Sequence, residues 1–245
     1  MPAQMQVSSP VPAVLAEGVS RRQGGRWALR SVDLRVEHGE VRMLCGENGA
    51  GKTTLVRVLG TALTPTAGML TLLGGPGPEQ RARVAMLSHA DHHYDELTAR
   101  ENLTLAAGLC GTTGWPEPPA TRVEDALTRV GLRDRADDAV RGFSAGMRKR
   151  LAFARVLLKD AELVLLDEPY AGLDPAGAAL VDALLARWPT RRAEPVTVVV
   201  STHQLVRVAP FCARATLLAR GRVAWEGPAH EAAARIAAHG GEATA

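Results

Sequence analysis

A 245-residue chain with 46% hydrophobic and 22% charged residues has the composition of a globular protein with one sizeable core and room for a small appended lobe. A formal net charge of +3, spread along the chain, argues against a nucleic-acid partner, and no apolar run approaches the ~18–20 residues needed to span a bilayer. Residues 1–16 lack a basic start followed by a continuous apolar stretch, so no signal peptide is expected; Cys45, Cys110 and Cys212 form no C-x-x-C pair and fit a reducing cytosol.

Residues 1–12 hold Pro2, Pro10 and Pro12 and read as a flexible leader. Residues 13–45 read as strands broken by turns at Gly24-Gly25 and His38-Gly39-Glu40, ending in the apolar strand Val41–Cys45. Next comes Gly46-Glu47-Asn48-Gly49-Ala50-Gly51-Lys52-Thr53, a G-x-x-x-x-G-K-[ST] phosphate loop extended by Thr54 and followed by the helical stretch Thr54–Leu59. Its glycines let backbone N–H groups converge on anionic oxygens. Lys52 supplies a cation to the outer phosphates, and the Thr53 hydroxyl is a ligand for Mg²⁺. Lysine occurs elsewhere only at Lys149 and Lys159, the remaining positive charge being arginine.

Met69–Leu73 and Val84–Leu87 predict two further strands, and polar residues 88–96 break the pattern. From Leu97 to Leu158 the chain reads as mainly helical. Thr98-x-x-Glu101 is a capping box, Gly111–Pro119 is a break, Val123, Leu127 and Val130 space a second helix, and a third begins near Ser144. Strand signals return at Glu162–Leu166 and Val196–Ser201, with a helix over 175–188 between them. Residues 228–245 predict a helix with a frayed tail. The fold class is therefore α/β: a P-loop core with an N-terminal β region and an inserted helical subdomain at about 89–158.

Leu163–Leu166 ends in Asp167-Glu168-Pro169, which sets carboxylates at the carboxyl end of a buried strand, where open α/β sheets bind ligands. Asp167 is placed to hold Mg²⁺, and Glu168 to polarise a water for attack on the γ-phosphate. Phe143-Ser144-Ala145-Gly146-Met147-Arg148-Lys149-Arg150 opens a helix with a serine and bare N–H groups, a setting that suits a phosphate as well as an ordinary cap.

These motifs together resemble the ATP-binding cassette (ABC) ATPases over roughly residues 13–228, with 229–245 as a C-terminal helix and tail. Residues 143–147 look like the signature, Leu165–Pro169 like the Walker B strand, Ala171-Gly172-Leu173-Asp174 like the D-loop, and Ser201-Thr202-His203 like the switch histidine. The resemblance implies ATP and Mg²⁺ as cofactors and a head-to-tail dimer, homo- or heterodimeric. It implies that Ser144, Ala145, Gly146 and Met147 address the partner's ATP, that Glu168 is the general base, that Asp174 joins the two sites and that His203 reads the γ-phosphate. It further implies a separate membrane permease that holds the chain at the cytoplasmic face of the cell membrane.

Two positions depart from the family pattern. The aromatic residue that stacks on adenine is replaced by Gln23, leaving Trp27 either as a substitute or as a packing residue; the glutamine after the strand at 84–87 is replaced by His89, whose imidazole both donates and accepts. Leu87-Ser88-His89, the segment Tyr94–Leu103 and the Phe-Ser-Ala-Gly-Met signature resemble export-type subunits, including the haem-exporter ATPases of cytochrome c biogenesis, with multidrug-type export as the alternative subgroup. His89, Asp91, His92, His93 and Asp95 read as a solvated loop at the permease contact, with metal binding as the alternative. A soluble, non-transport ABC ATPase is the competing reading of the whole chain. A non-catalytic regulator would be expected to lack Glu168 or His203, and a simple P-loop kinase would not need the signature or D-loop.

Overall fold

A computed structural model describes residues 11–88, 92–109, 119–188 and 195–242, with side chains through residue 238. Positions 1–10 of the leader, His89, Asp91, Cys110, residues 111–118 of the predicted break and the last three residues lie outside the described residues.

Gly24 and Gly25 have φ of 54° and 79°, the left-handed pair that a two-residue hairpin requires, and they join β1 (Val14–Gln23) to β2 (Arg26–Val36) with Gln23 opposite Arg26. β4 (Ala67–Leu72) pairs antiparallel with β1, and β5 (Gly75–Pro76) with β4, giving an antiparallel sheet in the order β2-β1-β4-β5.

The second sheet holds β3 (Val41–Cys45), β6 (Val84–Leu87), β7 (Leu163–Asp167), β8 (Thr197–Ser201), β9 (Arg214–Ala219) and β10 (Arg222–Pro228), in the order β10-β9-β3-β8-β7-β6. Its pairings are parallel except for the β9–β10 hairpin. Every residue of β3, β7 and β8 is buried, which explains the largely apolar runs of these strands, interrupted in β3 by Arg42: both faces are covered. Alternate residues feed two cores. Met43, Val164, Leu166, Val198 and Val200 face one, and Leu44, Leu163, Leu165 and Val199 face the other.

The second of these cores lies under the antiparallel sheet and α1 (Lys52–Leu59). The first takes the buried faces of α2 (Ala99–Leu109), α3 (Pro119–Arg129) and α4 (Ala145–Leu158), through Leu103, Leu127 and Phe153, and of α5 (Pro175–Arg187), through Val181 and Leu185. α2, α3 and α4 are the inserted helices expected from the sequence. α6 (Leu205–Val208) follows β8.

The β9–β10 hairpin was absent from the sequence-based expectations. Its turn, Arg220-Gly221, has φ of 50° and 78°, and the run Ala215–Ala219 with this turn after it was the available signal. The C-terminal helix α7 (Ala232–Glu242) does more than trail from the domain: Ala232 is fully buried, and Arg235 lies 5.6 Å from the Trp225 ring centroid.

Candidate functional site

The phosphate loop connects β3 to α1. Gly46 adopts φ 141° and Gly51 φ 109°, both closed to most side chains. A Cβ on Gly46 would stand 2.2 Å from the Leu218 carbonyl oxygen, and one on Gly51 2.8 Å from that of Ala28. Strands β9 and β2 thus press the loop from two sides. Ala50 N–H donates to the Glu47 carbonyl at 3.2 Å, and the Ala50 carbonyl accepts from Gly221 N–H at 2.9 Å. Lys52 is buried, and its Nζ donates to the Gly46 and Glu47 carbonyls at 2.8 and 3.2 Å. Gly51 precedes α1 without a side-chain cap, so no side chain of the loop takes up the first-turn N–H groups. Asn48, Gly49, Lys52, Thr53 and Thr54, with Ala28 and Glu168 opposite, line a cavity of about 340 Å³.

Sheet register brings the carboxylates to this loop. Ser201, at the end of β8, is opposite Leu44 on one side and Asp167 on the other. Thr53 Oγ1 donates to Asp167 Oδ1 at 3.2 Å, and Ser201 Oγ donates to the same oxygen at 2.6 Å. Asp167 is only 2% exposed. The Glu168 N–H donates to Ser201 O and lies 3.1 Å from Ser201 Oγ. Glu168 itself has φ 47°, a left-handed conformation costly for a non-glycine residue and concentrated at functional sites. Its carboxylate accepts from His203 Nδ1 at 2.8 Å. Ser201 entered the sequence reading only as part of the switch-histidine motif, with no role of its own. Its only local signal was a position two residues before His203, because its partners are set by strand register.

Thr53 and Asp167 offer hard oxygen donors side by side next to the loop, a donor set that suits Mg²⁺ shared with phosphate oxygens. Among the described residues no group of three or more His, Cys, Asp or Glu could hold a metal alone. His93 Nε2 lies 3.0 Å from the Arg148 carbonyl and Asp95 accepts from Arg148 at 2.6 Å, so both are engaged with α4. Cys45, adjoining the loop, is fully buried, and that burial pushes its thiol up to about 11.

Other sequence-selected residues lie apart from the cavity. Ser144 caps α4, its Oγ accepting from Met147 N–H at 3.2 Å; a Cβ on Gly146 would have Gly172 O as its nearest neighbour, at 3.7 Å. Met147 packs partly buried against the helical core, and none of residues 144–147 lines the phosphate-loop cavity. Asp174 caps α5, accepting from Gly177 N–H at 2.7 Å. Ala28 lines the phosphate-loop cavity, while Trp27, 43% exposed, lines a separate hollow of about 260 Å³ with Ser20, Arg30, Ser31 and Arg222. Consecutive strand residues point to opposite faces, so the two hollows are served by neighbours in sequence. Gln23 is exposed at the end of β1. Ser88, beside the undescribed His89, lines a groove of about 590 Å³ between β6, α2 and α4.

Comparison with known proteins agrees with this architecture. Residues 29–171 match the family described as ABC transporter. The chain is 38% identical over 186 residues to the cytochrome c biogenesis ATP-binding export protein CcmA of Nitrosococcus oceani, covering 74% of this chain and 83% of that protein. It is 36% identical over 237 residues to the phosphonates import ATP-binding protein PhnC of Anaeromyxobacter dehalogenans, covering 90% of this chain but 46% of that longer protein. The fold matches the dimeric structure of an ATP-binding cassette in a post-hydrolysis state bound to ADP and Pi, with a TM-score of 0.80, 24% identity, and coverage of 88% of this chain and 98% of that one. Fold, phosphate-loop geometry and relatives converge: the chain belongs to the ABC transporter family, among its ATP-binding, ATP-hydrolysing subunits.

Proposed function

We propose that the chain is the ATPase motor of an exporter, acting as a homo- or heterodimer at the cytoplasmic face of a membrane through a separate permease. The observation that carries the reading is the hydrogen-bonded run Thr53–Asp167–Ser201–Glu168–His203 beside the phosphate loop. Residues 46–54 cradle the phosphates with N–H groups and Lys52. Thr53 and Asp167 hold Mg²⁺, which when bound neutralises charge on the phosphates. Glu168 accepts a proton from the attacking water, and His203 senses the γ-phosphate. Ser144, Ala145, Gly146 and Met147 lie outside their own chain's cavity, which suits a role on the partner's ATP across a closed dimer. Asp174, the cap of α5, joins the two sites on this reading. Catalysis on this reading is positioning and charge neutralisation rather than covalent chemistry.

No helix among the described residues is long and apolar enough to cross a membrane. The groove beside Ser88 and His92, with exposed Leu109 at its edge, suits a permease segment, and His89 adjoins it in sequence. Export is favoured over import by the resemblance of Tyr94–Leu103 and Phe143–Met147 to haem-exporter ATPases and by the similarity to the cytochrome c biogenesis protein.

Glu168→Gln should cut ATP turnover by at least about 100-fold while ATP stays bound. Turnover at the parent rate would remove Glu168 as general base. The same variant, affinity-purified from detergent-solubilised membranes, should bring down a polytopic membrane protein. Robust ATP hydrolysis by a chain that recovers none would favour a soluble ABC ATPase.

A further inference from the structure

A second polar cluster lies behind the Glu168–His203 pair. Tyr170, two residues after Glu168, is 4% exposed and donates its hydroxyl to Asp182 Oδ1 at 2.8 Å. Arg207, four residues after His203, forks onto the same carboxylate, with Nε at 3.1 Å from Oδ1 and a terminal nitrogen at 2.7 Å from Oδ2. Its guanidinium also lies over the Tyr170 ring, 5.0 Å from the centroid. Asp182 belongs to α5, the helix capped by Asp174. One carboxylate therefore ties together the segment that carries Glu168, the segment that carries His203, and the helix that begins at the D-loop.

We propose that Asp182 is a positioning residue that, with Tyr170 and Arg207, clamps the His203 segment against Glu168 and couples that contact to helix α5. The inference rests on the catalytic reading of Glu168 and His203. On the Glu168 side the backbone is already fixed, because Glu168 N–H is bound to Ser201. On the other side, Thr202 is anchored by its N–H to the Leu44 carbonyl at 3.1 Å, and Val208 is fully buried. Between those anchors His203 has a side chain 63% exposed that hydrogen bonds to Glu168. Arg207 is the polar tether on the intervening turn. The Arg207 and Asp182 side chains are 39% and 29% exposed, and ion pairs so placed add little to stability. What this one adds is geometry, since three hydrogen bonds converge on a single carboxylate and a ring contact joins the two donor side chains. Burial raises the Asp182 carboxyl, and the Arg207 and Tyr170 hydrogen bonds outweigh it, so the clamp is held in its charged form. Displacement of α5, which Asp174 caps, would reach His203 through Arg207 and Glu168 through Tyr170.

The test uses the full chain and two readouts, steady-state ATP turnover and the side-chain nitrogen resonances of His203. Asp182→Asn and Arg207→Ala should each lower kcat about tenfold with KM for ATP unchanged, as a misplaced catalytic group does, and should move the His203 resonances toward those of Glu168→Gln. Arg207→Lys, which keeps the charge, should recover part of both changes. His203 resonances and kcat that stay at parent values in Asp182→Asn and Arg207→Ala would overturn the clamp. So would a loss of kcat with unmoved His203 resonances, which would mean that Asp182 acts elsewhere. Failure of the underlying reading is separable: Glu168→Gln would then retain turnover, while the His203 resonances would still report whether the clamp holds the pair.

Discussion

Single atoms decide much of the phosphate loop. A methyl group at Gly46 would have to displace the Leu218 carbonyl, a backbone atom within a paired strand that cannot swing aside. Gly46→Ala should therefore cost about 1–3 kcal/mol in urea unfolding and weaken ATP binding at the same time. Lys52 is held by two loop carbonyls, and an incoming phosphate would exchange those partners for anionic oxygens. Cys45 behaves oppositely to a reactive thiol. Burial keeps it protonated well above neutrality, and Lys52 only partly offsets this. Cys212 is likewise pushed up, to about 12, by burial and then by Glu40. In a Cys110→Ser, Cys212→Ser background, maleimide should leave Cys45 of the folded chain unlabelled at about pH 8, with labelling appearing only on denaturation. Rapid labelling of Cys45 in the native chain would contradict its burial.

At the scale of elements, helix α2 shows how local sequence fixes a boundary. Thr98 N–H donates to the Glu101 carboxylate at 2.8 Å, and Glu101 N–H donates to Thr98 Oγ1 at 3.1 Å, the reciprocal box that the spacing predicts. Thr98→Ala should cost about 1 kcal/mol in denaturant unfolding. Asn102, 5% exposed, adds what the spacing did not announce. Its amide nitrogen lies within 3.3 Å of the carbonyls of Tyr94, Leu97 and Thr98, and its amide oxygen accepts from Tyr94 N–H at 2.9 Å. The side chain staples the loop before α2 to the helix. Asn102→Leu should cost about 1–3 kcal/mol, because it strands those backbone groups, and should raise hydrogen exchange over residues 94–98 first.

Across the whole molecule, a buried arginine joins the layers. Arg42, 2% exposed in β3, pairs with Glu40 at 2.6 Å and Glu226 at 2.8 Å, donates to Thr216 Oγ1 at 3.0 Å, and reaches the Arg35 carbonyl on β2 at 3.0 Å. It links both sheets at once. Arg42→Ala would leave two carboxylates without their cation and should cost about 3 kcal/mol or more, read from the unfolding midpoint. Charge also makes a small, acid-sensitive contribution to stability, because the pairs concerned are partly exposed. Arg148 holds Asp95 below its ordinary carboxyl value, and the Arg207 and Tyr170 bonds do the same for Asp182 against the opposing effect of burial. A depressed folded value means that the contribution is complete above the unfolded value and is lost as pH falls through the folded one. Melting temperature should stay flat from about pH 7 to about pH 5 and drop below about pH 4. The drop should be shallower in Asp182→Asn, and a fall already beginning near pH 6 would point to histidines instead.

What the sequence determined by itself is what neighbours along the chain determine: the glycine pattern of residues 46–51, the box at Thr98 and Glu101, and the apolar runs before Gly46 and within Leu163–Asp167. Each encodes a backbone conformation or burial on both faces, and these alone identify a P-loop α/β core with inserted helices. Tertiary structure decided the meetings. Thr53 reaches Asp167 across 114 positions, Ser201 reaches Asp167 across 34 and His203 reaches Glu168 across 35, each brought together by parallel register around β8. Parallel pairing needs a crossover, so such neighbours are far apart in the chain and leave no local periodicity to read. The hollows that Ala28 and Trp27 enter, the β9 wall behind Gly46 and the convergence of Tyr170 and Arg207 on Asp182 are likewise tertiary. They depend on which faces of which elements meet, and packing two layers on one sheet fixes that only once the chain is folded.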